Sequence, residues 1–262
     1  MAVQRNALRF WLFVVVFWWL THALGYMFHE YAHSFSAWSF GYMANPLALE
    51  YGHPTPKNIA LLLDVDDNVD YAPIFAAGKG YLASLIAVNG VLIGNGIFYF
   101  VARGLYSFAK RRRNQTLALF AILYCLMNAG NFLCYVPVRT FTTHADMATF
   151  EKGLNASPWL VIVLLGIPFA FAVWHFFSVL LPDACAFLLP GKRNQQVALL
   201  ALSSFTMFVF YGAAGLRGYG AVSRWISIVS VFLLFPLVMS LCWPRKISTG
   251  RSPVARSAIL RS

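Results

Sequence analysis

The chain has 262 residues, of which 60% are hydrophobic, 17% aromatic and only 11% charged. Ordinary soluble domains run near 45–50% apolar and about 25% charged, so the composition excludes a soluble globular domain. A net charge of +11 would suggest nucleic acid in a soluble protein, but a membrane protein gathers Lys and Arg in cytoplasmic loops for topological reasons; nucleic acid is not an expected partner, and the lipid bilayer is.

Six windows of mostly apolar residues, each about the 18 or more that a bilayer-spanning helix needs, follow one another at 10–28, 81–109, 117–136, 159–181, 197–214 and 225–243. They predict an all-α polytopic membrane protein of about six transmembrane helices. The first window has ionisable residues in its last turns and no small-residue cleavage site, so it reads as a helix and not as a signal peptide. A long loop follows, from about 38 to 80. Its apolar runs at 47–51 and 58–65, separated by Gly52, His53, Pro54, Thr55 and Pro56, suggest a short β-hairpin whose edge could hold a peptide by strand addition. The second window is small and polar along one side, with Gly90, Gly94 and Gly96 beside Asn89 and Asn95, a pattern of close helix packing. Residues 1–244 read as one membrane domain, and 245–262 as a basic, disordered cytoplasmic tail. Cys125, Cys134, Cys185 and Cys242 form no CxxC pair and read as core residues.

Placing the N-terminus in the cytoplasm puts fourteen of the twenty Lys and Arg residues inside, with the run Lys110 to Arg113 as the strongest anchor. Lys57, Lys79, Arg139, Lys152, Arg217 and Arg224 fall outside. This bias is the one the positive-inside rule requires; both termini are expected in the cytoplasm, and the chain in a cytoplasmic membrane.

At the outer end of the first helix stands His29, Glu30, Tyr31, Ala32, His33, an H-E-x-x-H motif. Residues four apart share one helix face, so both imidazoles can address one Zn²⁺ while Glu30 flanks it as general base. Ionisable groups at the border of hydrocarbon normally serve a site. Zinc needs a third protein ligand and an open position. Topology sends the third helix back to the same side, where Asp146 is the candidate carboxylate, with His144 as the alternative ligand. His22, seven residues before His29, lies on the same face two turns deeper and could bind substrate or serve as a buried core histidine. Asn128 and Asn131, one turn apart in the third helix, could either bridge helices or pair with an extended substrate backbone.

H-E-x-x-H on a membrane helix, a second helix entered through Ala76, Ala77 and Gly78, then Asn and Pro ahead of an Asp, resembles the site-2 protease family of intramembrane zinc metallopeptidases. The resemblance covers roughly residues 28–153 of a metallopeptidase-like core at about 10–157. It implies His29, His33 and Asp146 as zinc ligands, Glu30 as the base, and Asn131 or Asn128 as the clamp on the substrate backbone. Met147 follows Asp146 where the family usually has Gly, and Lys79 follows Gly78 where it usually has Pro. No segment resembles a PDZ or CBS module, so a minimal member is expected. Many members place the site toward the cytoplasm, whereas the loop charges here place it toward the outer face.

The implied function is a zinc-dependent endopeptidase cleaving a peptide bond in or near a membrane-spanning segment of another protein. Such a segment must unwind locally, because a helix uses its own carbonyls in intrahelical bonds. Two other classes share these residues: a transporter or channel using intramembrane His and Asp with Gly-broken helices, and a metal-binding membrane scaffold without proteolysis. The sequence fixes no oligomeric state.

Overall fold

The computed structural model describes residues 2–244, with side chains from residue 7 onward; the tail expected at 245–262 lies outside the described residues. Among the described residues there are nine helices and no strand. They are α1 (Ala2–Ser39), α2 (Pro56–Leu61), α3 (Ala72–Ala76), α4 (Gly80–Arg111), α5 (Gln115–Val138), α6 (Ala145–Leu154), α7 (Pro158–Leu188), α8 (Arg193–Leu216) and α9 (Gly220–Leu241).

Six of these, α1, α4, α5, α7, α8 and α9, are long and apolar enough to cross a membrane, and the protein is an integral membrane protein. Their ends overrun the apolar windows because interfacial turns are polar yet still helical. The largest extension is in α1, which continues unbroken from the window's end at 28 to Ser39. His29, Glu30 and His33 are therefore held on a rigid helix and not on a turn beyond it.

Helix α5 is the central element. It is buried along nearly its whole length, and α1, α4, α7 and α8 pack around it. The outer faces of the surrounding helices carry exposed Leu12, Val15, Leu164, Ile167 and Phe232, as lipid-facing surfaces do. Hydrophobic burial supplies little drive between helices in lipid, so close approach of small residues takes its place. Helix α6 shows this: a Cβ built on Gly80 would lie 2.8 Å from the Gly153 carbonyl oxygen, and Ser84 Oγ donates to Phe150 O at 2.7 Å. Glycine at both positions lets α6 lie directly on the first turns of α4.

Helix α4 departs from α-geometry over Gly90–Ile97, where the turns are π-helical. Such insertions leave backbone groups less regularly paired and occur often at functional sites. Here the wide turns face α1 at the level of His29.

The hairpin expected in the long loop is not formed. The loop makes one antiparallel bridge, Glu50 with Asp66, through backbone bonds of 3.1 and 2.9 Å. Thr55 caps α2 by accepting from the Asn58 N–H, so the second apolar run begins as helix. Asn58 then ties the loop to itself, donating to Tyr51 O and His53 O and accepting from the Asp64 N–H. Leu62 at φ 55° turns the chain out of the extended form. A strand edge for peptide addition is consequently absent from the described loop.

Candidate metal centre

The motif helix delivers two imidazoles to one point. His29 Nε2 and His33 Nε2 are 3.2 Å apart, and Asp146 Oδ2 lies 3.1 Å from the first and 3.3 Å from the second. Four ligands at about 2.0–2.1 Å in a tetrahedron stand about 3.3–3.4 Å apart, so the three atoms have the spacing of one face of a zinc tetrahedron.

The opposite edges of both rings are held. His33 Nδ1 lies 2.8 Å from the Ile86 carbonyl oxygen, which can only accept, so that nitrogen carries the hydrogen and Nε2 presents a lone pair. His29 Nδ1 lies 2.8 Å from Asn95 Oδ1, and Asn95 Nδ2 donates to Gly25 O, which orients the amide and gives His29 the same tautomer. Two imidazole lone pairs and a carboxylate oxygen thus converge in a buried place where nothing in the protein can donate to all three. A cation resolves that arrangement, and outer partners of this kind fix ligand orientation at metal sites.

Asp146 arrives from the first turn of α6, and the residue before it explains how. Ala145 has φ 66°, a left-handed conformation that costs a non-glycine residue about 1–2 kcal/mol. The turn swings the carboxylate inward. His144 goes elsewhere: its Nδ1 is 2.9 Å from Thr142 Oγ1 and its ring stacks on Tyr219. Of the two candidates for third ligand, Asp146 is the one beside the histidines.

Glu30 offers a carboxylate in the same group, within 4.8 Å of the His29 and His33 ligand atoms. It borders a cleft of about 580 Å³ that also meets Tyr26, Asp67, Tyr71, Arg139 and Asp146. Asp67 belongs to the long loop, which Ser34 Oγ pins by donating to Asp67 O at 2.9 Å. Burial pushes the Asp67 carboxyl up to about 6, against the pull of His33 and the Val69 N–H.

The remaining predicted residues stand apart from the cleft. His22 is buried with Nδ1 2.9 Å from Tyr211 Oη and Nε2 3.2 Å from Leu61 O, both nitrogens engaged in joining α1 to α8 and the loop. Asn128 donates to Tyr124 O within α5. Asn131 sits against α1 at Gly25, and its Nδ2 is buried without a partner. Neither asparagine borders the cleft.

Sequence reasoning missed Asn95, Tyr135 and Arg139. Tyr135 stacks on His29 at 4.0 Å between ring centroids, and the Arg139 guanidinium lies over Tyr135, 4.5 Å from its centroid. One signal was available: Asn131, Tyr135 and Arg139 recur every four residues, a polar stripe on an otherwise apolar helix.

No family model, curated protein or solved structure matches this chain. A functional reading therefore rests on the site alone.

Proposed function

We propose that this protein is a zinc-dependent intramembrane endopeptidase, similar in its site to the site-2 proteases, and that its substrate is a membrane-spanning segment of another protein. The observation that carries the reading is the convergence of His29 Nε2, His33 Nε2 and Asp146 Oδ2 within 3.1–3.3 Å, with Glu30 at the wall of an adjoining cleft.

In this reading His29, His33 and Asp146 would hold the metal beside the cleft that Glu30 borders. When bound, zinc supplies the Lewis acidity that makes water nucleophilic near neutral pH and polarises a carbonyl. Glu30 takes the proton from the attacking water and returns it to the amine leaving group as the C–N bond breaks. Asn95 and the Ile86 carbonyl hold the imidazole tautomers through turnover. Loop residues Asp67 and Tyr71 line the cleft with the helices, and a helical substrate segment must unwind locally to present a carbonyl there.

The loop charges support a site near the outer face of a cytoplasmic membrane with the N-terminus inside. Lys110 to Arg113, Lys192 and Arg193 lie at the ends of α4, α7 and α8 remote from the metal ligands. A reporter fused after Arg113 that reads extracytoplasmic would overturn this orientation.

The test uses purified, zinc-loaded protein and a membrane-segment substrate. Glu30→Gln should retain zinc and lose turnover, by about 10²–10⁴-fold for removal of a general base. Cleavage that survives in Glu30→Gln contradicts the assigned base. Solute flux in liposomes by wild type without any proteolysis would favour a transporter, and zinc without hydrolysis a scaffold.

A further inference from the structure

Arg139 stands at the end of α5, where the π-helical turn over Cys134–Val138 closes. Its guanidinium lies over two aromatic rings, 4.5 Å from the centroid of Tyr135 and 5.1 Å from that of Tyr219. Tyr135 in turn covers His29, and His144 covers Tyr219. Pairwise contacts thus link five planar groups, from His29 through Tyr135, Arg139 and Tyr219 to His144.

Aromatic rings can meet the charge of a guanidinium but not its five N–H donors, which lie in one plane. Arg139 Nε is buried without any hydrogen-bond partner. Among the described residues Arg139 makes no ion pair, although His29, His33 and Lys110 each have one. Three of the four acids that border the same cleft are otherwise engaged, and the fourth, Glu30, makes no ion pair with Arg139. Asp146 is on the two imidazoles, Asp67 accepts from the Val69 N–H, and Asp66 accepts from the Asn68 N–H. Pure aromatic packing would satisfy the faces of the cation and leave its donors unpaired, which buried polar groups seldom tolerate.

We propose that Arg139 is a specificity-determining residue that binds a carboxylate of the substrate peptide in the cleft beside Glu30. This deepens, and rests on, the endopeptidase reading. The planar fork of a guanidinium matches a carboxylate in bidentate fashion. A singly charged group also suits a cleft already bordered by Asp66, Asp67, Glu30 and Asp146 better than a doubly charged phosphate does. The carboxylate has two possible sources, an Asp or Glu side chain near the scissile bond and a free C-terminus.

The experiment is a binding measurement on the full chain carrying Glu30→Gln, which removes turnover from the readout. The probes are fluorescein-labelled Leu/Ala-rich peptides in detergent micelles. One set has a single Glu at successive positions and an amidated C-terminus, a second set has Gln at the same positions, and a third peptide has Gln with a free C-terminal carboxylate. At one or more positions Glu should bind about tenfold or more tightly than Gln, the scale of a charge-assisted hydrogen bond. Preference for the third peptide alone would assign the carboxylate to a chain terminus. Arg139→Gln should bring the preference to near one, and Arg139→Lys, which keeps charge without the fork, should restore only part of it. Zinc content and thermal melting of the variants report whether they fold.

Equal binding of all peptides by protein retaining Arg139, or binding of none, overturns the assignment without any need for the variants. Carboxylate preference in a protein that hydrolyses nothing would instead leave Arg139 as a ligand site and contradict the endopeptidase. Hydrolysis by wild type with no carboxylate preference would do the reverse.

Discussion

Gly90 is the position where one added methyl group tests the whole geometry. It lies in the π-helical stretch of α4 directly against both imidazoles. A Cβ built there falls 2.8 Å from His29 Cε1 and closer still to the His33 ring, whereas carbon atoms rest about 3.5–4.0 Å apart. At least one ring must retreat by roughly 0.7 Å or more. The His33 ring has no free space, being fully buried and bonded to Ile86 O at 2.8 Å. Metal–ligand distances tolerate only about 0.2 Å, so Gly90→Ala cannot keep both Nε2 atoms on one ion without moving α4 from α1. The expected result is a loss of at least tenfold to a hundredfold in zinc affinity, the range for disturbed outer partners. Competition titration against a chromogenic chelator measures it, with size-exclusion and melting profiles as controls for folding. A folded Gly90→Ala protein that binds zinc as tightly as wild type would refute the packing argument and the site drawn from it.

Asn95→Ala removes the acceptor that orients His29 and should weaken zinc by about 10–100-fold, read by the same titration, while equal affinity would show that the tautomer is set otherwise. Gly153→Ala places a Cβ onto the Gly80 backbone and Ser84 Oγ; pushing α6 away should cost about 1–3 kcal/mol in stability and displace Asp146, so melting temperature and zinc affinity fall together, and a fall in neither would contradict the account of how α6 is seated. Burial raises the Glu151 carboxyl from its ordinary value to about 7. A raised folded-state pKa contributes stability that is complete below the unfolded value and is lost as pH rises through the folded one. Glu151→Gln should therefore melt higher than wild type at pH 8 and nearly equally at about pH 4, below the unfolded value. The gain at pH 8 is on the order of 1 kcal/mol once solvent screening of this partly exposed group is allowed for, and a gain of the same size at the acid pH would refute it.

The sequence made the helices legible because each apolar window is long and the cations sit at its ends. The motif was legible because His29 and His33 are one turn apart on a single helix, a relation the chain itself fixes. Asp146 was reachable only by reasoning about which side each helix ends on. Its actual approach depends on the left-handed Ala145, which no residue type announces. The long loop misled because it holds two short apolar runs on either side of Gly52 to Pro56, yet Thr55, Asn58 and Leu62 spend the backbone groups on a capped helix and internal turns. Asn95 read as helix packing since nothing local marks a hydrogen bond to a residue 66 positions away. His22, Asn128 and Asn131 illustrate the converse: a polar residue in an apolar helix announces that it has a partner or a function, and it cannot say which.

The central claim is that His29, His33 and Asp146 form one zinc site. Zinc per chain, measured side by side in purified wild type, His33→Ala and Asp146→Ala, tests it most directly. The account predicts about one zinc in wild type and loss of it in both variants. A folded wild type that refuses added zinc, or an Asp146→Ala protein that binds it with undiminished affinity, would contradict it.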